Sequence, residues 1–353
     1  MDKDAKIYVA GHLGLVGSAL VRCLGDNGYT NLVTRTHSEL ELTDQQAAAG
    51  FFEREKPEYV FLSAAKVGGI VANNTYRAEF LYENLAIQNN VIHQSYLNRV
   101  KKLLFLGSTC IYPRECPQPM KEQYLLTSPL EYTNEPYAIA KIAGMKLCES
   151  YNLQYGTNFI SVMPTNLYGP GDNFDLEKSH VLPALLRKMY LAHLLEVGDM
   201  DSVLENLQST NEREALALLE KFGISAEKVC IWGTGKPRRE FLWSEDMAAA
   251  CVFLMENCDF SDTYAPGANE IRNTHINIGI GEDVSIAELA EMIRQTVGYG
   301  GLLDFDPSKP DGTYRKLTDV SKIHALGWHH RVSLEDGLKR IFDWYKTNAL
   351  TRH

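Results

Sequence analysis

Tyr137 and Lys141 stand four apart in the segment Tyr137-Ala138-Ile139-Ala140-Lys141, and Ser108-Thr109-Cys110 closes an apolar run upstream. On a helix, residues four apart share a face, so this phenol and this ammonium project into one cleft. A lysine there lowers the pKa of the phenol and prepares it to pass a proton to a carbonyl oxygen. A serine hydroxyl at the end of a neighbouring strand holds that oxygen. Taken alone, such a pair also fits a solvated helix face, so the surrounding sequence has to decide.

The amino terminus supplies the context. Lys6-Ile7-Tyr8-Val9-Ala10 has the pattern of a buried strand. Gly11-His12-Leu13-Gly14-Leu15-Val16-Gly17 follows at once and leads into the helical stretch Ser18 to Leu24. A strand, a glycine turn and a helix amino terminus together form a site for a dinucleotide pyrophosphate, because glycines admit the phosphates and unpaired N–H groups meet them.

Positioning these groups requires a large α/β scaffold. The 353 residues suffice for two domains. Apolar segments at 31–34, 59–62, 102–106 and 159–162 alternate with helical ones at 44–55, 80–98 and 137–155, the signature of a doubly wound parallel sheet. The expected division is a dinucleotide-binding domain over 1–178, with segments at about 229–258 returning to it, and a smaller α+β substrate domain over 179–353. Within the latter, the charge-rich stretch at about 192–227 is expected to form an inserted helical lobe with a solvated face. A net charge of -10 argues against nucleic acid as the main partner. The seven cysteines form no CxxC pair, which suggests neither a metal site nor a disulfide framework. With no leader pattern and no apolar run long enough to span a bilayer, a cytoplasmic location is expected.

Several longer stretches sharpen the reading: Ala64-Ala65-Lys66-Val67-Gly68-Gly69-Ile70, Gly107-Ser108-Thr109-Cys110-Ile111-Tyr112-Pro113, Met163-Pro164-Thr165-Asn166-Leu167-Tyr168-Gly169-Pro170 and Ser179-His180-Val181-Leu182-Pro183. Together with the segment from Asn134 to Lys141 they resemble the extended short-chain dehydrogenase/reductases, and among these the GDP-L-fucose synthases, over nearly the whole chain outside the lobe. The resemblance implies an NADP-dependent oxidoreductase with epimerase activity. It would epimerise C3 and C5 of GDP-4-keto-6-deoxy-D-mannose and then reduce the 4-keto group to give GDP-L-fucose.

The same resemblance implies the site. Cys110 and His180 would share the proton transfers of epimerisation, and Ser108, Tyr137 and Lys141 would serve the reduction. Besides the glycine loop from Gly11 to Gly17, the coenzyme would be lined by Arg35, His37, Asp44, Ala64, Ala65, Leu106, Gly107, Pro164, Asn166, Leu167 and His180. The family often carries arginine where this chain has Leu13 and His37, so a reduced preference for NADP over NAD is expected, with no carboxylate expected at the tip of the second strand. Asp44 suits either the adenine or a helix cap. Asn166, Lys188, Trp232, Arg239 and Asp311 would bind the GDP-sugar. On residue type alone, Trp232 suits a nucleobase or a core, and Arg239 suits a diphosphate or a pair with Glu240 or Asp246. The segment 309–313 has the composition of a loop that closes over a sugar. A homodimer built on paired long helices is the family expectation. Two rivals remain: a nucleotide-sugar 4-epimerase holding NAD tightly, and a catalytically idle NADP-binding regulator.

Overall fold

In the computed structural model, which describes residues 1–309 and 311–348, the apolar runs become strands of one parallel sheet. These are Ile7–Ala10 (β1), Leu32–Val33 (β2), Tyr59–Leu62 (β3), Lys102–Leu106 (β4) and Phe159–Pro164 (β5), with the further strand Ile276–Ile278 on the outer edge of β5. From that edge the order is 276–278, β5, β4, β3, β1, β2. The direction of winding reverses between β1 and β3, which is where open α/β sheets bind ligands. Ala10 pairs there with Leu62.

Alternation along each strand supplies two cores. Ile7 and Val9 face one cluster with Phe61, Leu104, Leu106 and Val162, covered by Leu15–Asp26 (α1) and the helix Ser244–Asn257. Tyr8 and Ala10 face the other with Val60, Leu62, Leu103 and Phe105. Helices Gln45–Glu55 (α2), Arg77–Leu97 (α4) and Glu135–Tyr155 (α5) cover that side, with the short helix Ile70–Thr75 (α3) leading into α4. Strands buried on both faces explain why these segments are continuous apolar runs.

Two units result. The first comprises Met1–Leu167, Leu242–Gly281 and Leu317–Arg331; the second comprises Tyr168–Phe241, Glu282–Lys316 and Val332–His353. The return expected at about 229–258 begins later, at Leu242. The strand Lys228–Trp232 pairs in parallel with Leu302–Asp306 and so belongs to the second unit. The second unit also holds Val181–Glu196 (α6), Met200–Leu207 (α7) and Glu212–Lys221 (α8), the last two being the helices of the lobe. Among the described residues, no helix is long and apolar enough to cross a membrane, and no three metal-ligating side chains converge.

The edge strand was not evident from sequence because a polar residue sits at its centre. Asn277 is fully buried: Tyr112 Oη donates to its Oδ1 at 2.6 Å, and its Nδ2 donates to Met120 O at 2.9 Å. Tyr112 Oη also lies 3.0 Å from His275 Nε2, and burial holds that imidazole neutral, with its pKa pushed down to about 3. The network fastens the segment after Cys110 to the sheet edge. Removing a buried partner costs about 1–3 kcal/mol because the groups left behind stay desolvated. Tyr112→Phe is therefore expected to lower the unfolding free energy of the chain by about that amount, read as an earlier urea midpoint at unchanged m-value.

Candidate active site

The glycine turn is built for close approach. Gly11 adopts φ +82°, and a Cβ there would lie 2.7 Å from the Ala64 backbone; one at Gly17 would lie 2.0 Å from Gly11 O. Gly14 precedes α1 in extended conformation, and no side chain caps the helix. Its first-turn N–H groups and positive dipole end thus face the space beyond β1 and β3, a cradle that fits a dinucleotide pyrophosphate. Ala64 and Ala65 follow β3 at the same edge, and Ser63 Oγ donates to Ala10 O at 2.5 Å.

Beyond β2 the expected coenzyme residues have internal partners. Arg35 Nη2 donates to Glu55 Oε1 at 2.5 Å, and His37 Nε2 lies 2.7 Å from Glu41 Oε2. Asp44 caps α2, accepting from Gln46 N at 2.8 Å and Ala47 N at 3.0 Å. The turn that follows β2 also carries a carboxylate. Glu39 folds back to accept from both the amide and the hydroxyl of Thr36, which holds its carboxyl below the ordinary range.

At the end of β4, Leu106, Gly107, Ser108 and Cys110 meet Tyr137 and Lys141 of α5. The approach is close because two glycines permit it. A Cβ at Gly144 would lie 2.5 Å from Phe105 Cζ, and one at Gly107 would lie 2.2 Å from Met163 Sδ. Lys141 is 3% exposed and donates to Leu106 O at 2.8 Å; its Nζ stands 5.6 Å from the centroid of the Tyr137 ring. Cys110 N donates to Ser108 Oγ at 3.3 Å, so the hydroxyl proton of Ser108 stays available to an incoming acceptor. Phe80 meets Tyr137 edge to face at 6.5 Å.

Electrostatics here depart from the expectation of an acidified phenol. Burial, reinforced by the charge of Cys110, pushes Tyr137 above its ordinary value. Burial pushes Lys141 down to about 8, against the opposing pull of Cys110. In the ligand-free protein desolvation outweighs attraction, so Tyr137 keeps its proton and is loaded as an acid. Pro164, Asn166 and Leu167 lie at and beyond the end of β5 in the same unit.

The remaining expected residues belong to the second unit. His180 precedes α6 with no side-chain cap, and loss of solvation lowers its pKa, favouring the neutral base. Trp232 is 63% exposed at the end of its strand, with Lys309 Nζ 5.5 Å from the ring centroid, which removes the core alternative. Arg239 donates only to Arg238 O and pairs with no carboxylate among the described residues, whereas Arg238 Nε donates to Asp283 Oδ1 at 2.7 Å. Asp311 accepts from Thr234 N at 2.6 Å and Thr234 Oγ1 at 2.8 Å, pinning the 309–313 loop; Pro310 lies outside the described residues. Lys188 departs from its expected place. It is buried and donates to Phe222 O at 2.9 Å and Cys230 O at 3.2 Å, an internal anchor for the lobe and not an open substrate contact. Asn277, His275 and Glu39 went unread in the sequence; the one available signal was the alternation of Ile276 and Ile278 around Asn277.

Residues 7–279 match the family described as NAD dependent epimerase/dehydratase. GDP-L-fucose synthase 1 of Arabidopsis thaliana is 52% identical over 99% of this chain and 96% of its own length. A solved GDP-6-OMe-4-keto-L-xylo-heptose reductase of Campylobacter jejuni is 52% identical, with TM-score 0.94 over 98% of this chain and 99% of that one. A GDP-mannoheptose C4 reductase of the same organism, solved with NADP bound, is 51% identical with TM-score 0.89 over 98% and 99%.

The depressed lysine makes a stability prediction. Between pH 8 and the ordinary lysine value, the unfolded chain binds a proton at Lys141 that the folded chain does not, so this group makes stability rise with pH across that window. Lys141→Met should remove that rise, seen as a flatter difference in unfolding free energy from pH 8 upward by urea titration.

Proposed function

Because the chain belongs to the NAD dependent epimerase/dehydratase family, we propose that it converts GDP-4-keto-6-deoxy-D-mannose to GDP-L-fucose, by C3/C5 epimerisation and then NADPH-dependent reduction at C4. The observation that carries this reading is the meeting of Ser108, Cys110, Tyr137 and Lys141 at the end of β4, in the unit that holds the glycine cradle. NADP is the coenzyme, consistent with the solved relative that holds it. When bound, it supplies the hydride that reduces the C4 carbonyl carbon.

The residues of the chain do the rest. For epimerisation, the ketone acidifies the protons at C3 and C5, and Cys110 with His180 removes and returns them. His180 is suited to accept because its lowered pKa keeps it neutral near pH 7. For reduction, the Ser108 hydroxyl hydrogen-bonds the substrate oxygen and keeps its proton, while Tyr137, held protonated, transfers one proton to that oxygen. Lys141, anchored on the Leu106 carbonyl, keeps a cation below the phenol at pH values under about 8. Arg239 supplies an unpaired guanidinium for the diphosphate, and Trp232 an exposed indole for guanine. The protein acts as a cytoplasmic homodimer through α4 and α5, which pack on each other and leave Tyr82, Ile139 and Leu153 exposed.

A second reading rests on the solved relatives at 51–52% identity, which act on GDP-linked heptoses. Such a substrate presents the same diphosphate and a C4 carbon to the same residues and differs at C6. Incubation with NADPH and each GDP-4-keto sugar in turn, with product identification by NMR, separates the two. Turnover of the heptose alone would displace the fucose reading.

Two variants test the division of labour. Cys110→Ser should abolish deuterium exchange from solvent at C3 and C5 while leaving reduction of an already epimerised ketone within about tenfold of wild type; equal loss of both would contradict it. Arg239→Ala should raise KM for the GDP-sugar by about 10- to 100-fold, as loss of a charged contact worth about 1.5–3 kcal/mol implies, with little change in KM for NADPH.

A further inference from the structure

Among the described residues no hydrogen bond holds the Tyr137 hydroxyl, so packing has to aim it. Two groups meet its ring: Lys141 Nζ, 5.6 Å from the centroid, and the ring of Phe80, 6.5 Å away at an interplanar angle of 77°. That spacing and angle lie in the range where aromatic pairs attract edge to face. Conjugation keeps a phenolic O–H close to the plane of its ring, so whatever fixes that plane fixes the direction in which the proton leaves. The torsion that turns the plane has broad wells of its own, and a neighbour is needed to narrow it.

Phe80 is built to be that neighbour. It is 2% exposed, yet it lies outside both of the cores that flank the sheet. Across from it stands Gly68, where a Cβ would come within 3.0 Å of Phe80 Cζ, so the ring has no slack on that side. The glycine cannot retreat easily, because the loop that carries it is fastened to α4. Lys66 N donates to Asn84 Oδ1 at 3.0 Å, and Asn84 Nδ2 donates to Lys66 O at 3.0 Å and to Phe80 O at 2.7 Å. Lys66 Nζ also bridges Glu79 at 2.6 Å and Glu83 at 2.7 Å. One turn before Phe80, Arg77 Nη1 donates to Tyr132 O at 2.8 Å and Nη2 lies 3.6 Å from Glu135 Oε2, which ties the start of α4 to the start of α5. The pair of rings sits between these fastenings.

We propose that Phe80 is a positioning residue for the reduction, holding the ring plane of Tyr137 so that its O–H points at the ketone oxygen. The proposal rests on Tyr137 as the acid and adds to it what aims the proton.

Single-turnover kinetics test it. NADPH oxidation is followed by stopped-flow fluorescence, with the already epimerised ketone of GDP-4-keto-6-deoxy-D-mannose, in wild type, Phe80→Leu, Tyr137→Phe and the double variant. Phe80→Leu should slow hydride transfer by about 10- to 100-fold, the scale of a misplaced reacting group, with KM for the sugar and the dissociation constant of NADPH within about threefold of wild type. In the Tyr137→Phe background, where no phenolic proton is left to aim, the same substitution should change the rate by less than about threefold. A residue that only supports the fold would slow both backgrounds alike. Gly68→Ala presses on the Phe80 ring without altering either aromatic. It should slow the Tyr137 enzyme by about tenfold and spare Tyr137→Phe, and it carries the test where Phe80→Leu does not fold. An equal factor in both backgrounds, or a Phe80→Leu rate within about threefold of wild type, would overturn the proposal. Reduction by Tyr137→Phe close to the wild-type rate would instead overturn the acid assignment, and the proposal with it. No oxidation of NADPH by the wild-type chain would overturn the functional reading itself.

Discussion

The contact from Lys141 Nζ to the Leu106 carbonyl is the constraint on which the site depends. It ties α5 to the end of β4, so a residue one turn earlier on the helix, Tyr137, must stand beside Ser108 and Cys110. The tie requires a helix to approach a strand more closely than side chains normally allow. Gly144 gives way to Phe105 and to Gln88, whose Nε2 donates to Ala140 O at 2.7 Å, and Gly107 gives way to Met163. Desolvation at this approach loads the phenol with its proton and lowers the lysine pKa, so packing and acid–base character share one cause.

A second constraint acts from the sheet edge. Glu122 accepts from Asn277 N at 3.1 Å, and burial raises its carboxyl pKa against the attraction of Lys322. Lys322 in turn donates to His275 O at 2.8 Å. Such a chain of hydrogen-bonded groups fixes one arrangement of the segment from Tyr112 to Glu122, since any slip would strand several polar atoms at once. The loop carrying Cys110 is thus held from the helix side and from the edge side.

Much of this was legible in the sequence, and the pattern of success is physical. The glycine turn, the Tyr137/Lys141 spacing and the Ser108–Cys110 step are local, so their meaning survives without coordinates. Strands β1, β3, β4 and β5 were legible because burial on both faces makes them largely apolar runs. What stayed hidden depends on partners distant in sequence. Arg238 and Arg239 are adjacent and alike, yet strand alternation sends one to Asp283 and leaves the other unpaired. Lys188 looked like an open cation, but the end of α8 and the strand Lys228–Trp232 each give it a carbonyl.

The anchoring of the lobe has one more consequence. Arg187 donates to Phe174 O at 3.2 Å and Asn206 O at 2.7 Å, and Lys188 adds the Phe222 and Cys230 carbonyls. A main-chain carbonyl is offered by every amino acid, so these four attachments are blind to the identity of the residues they hold; Arg187 Nε adds one that is not, donating to Asn206 Oδ1 at 3.0 Å. Substitution within α7 and α8 therefore costs most at Asn206, whose side chain meets Arg187 and Tyr345, and at the buried Val203, Ala215 and Leu219, and least where only the backbone path is used.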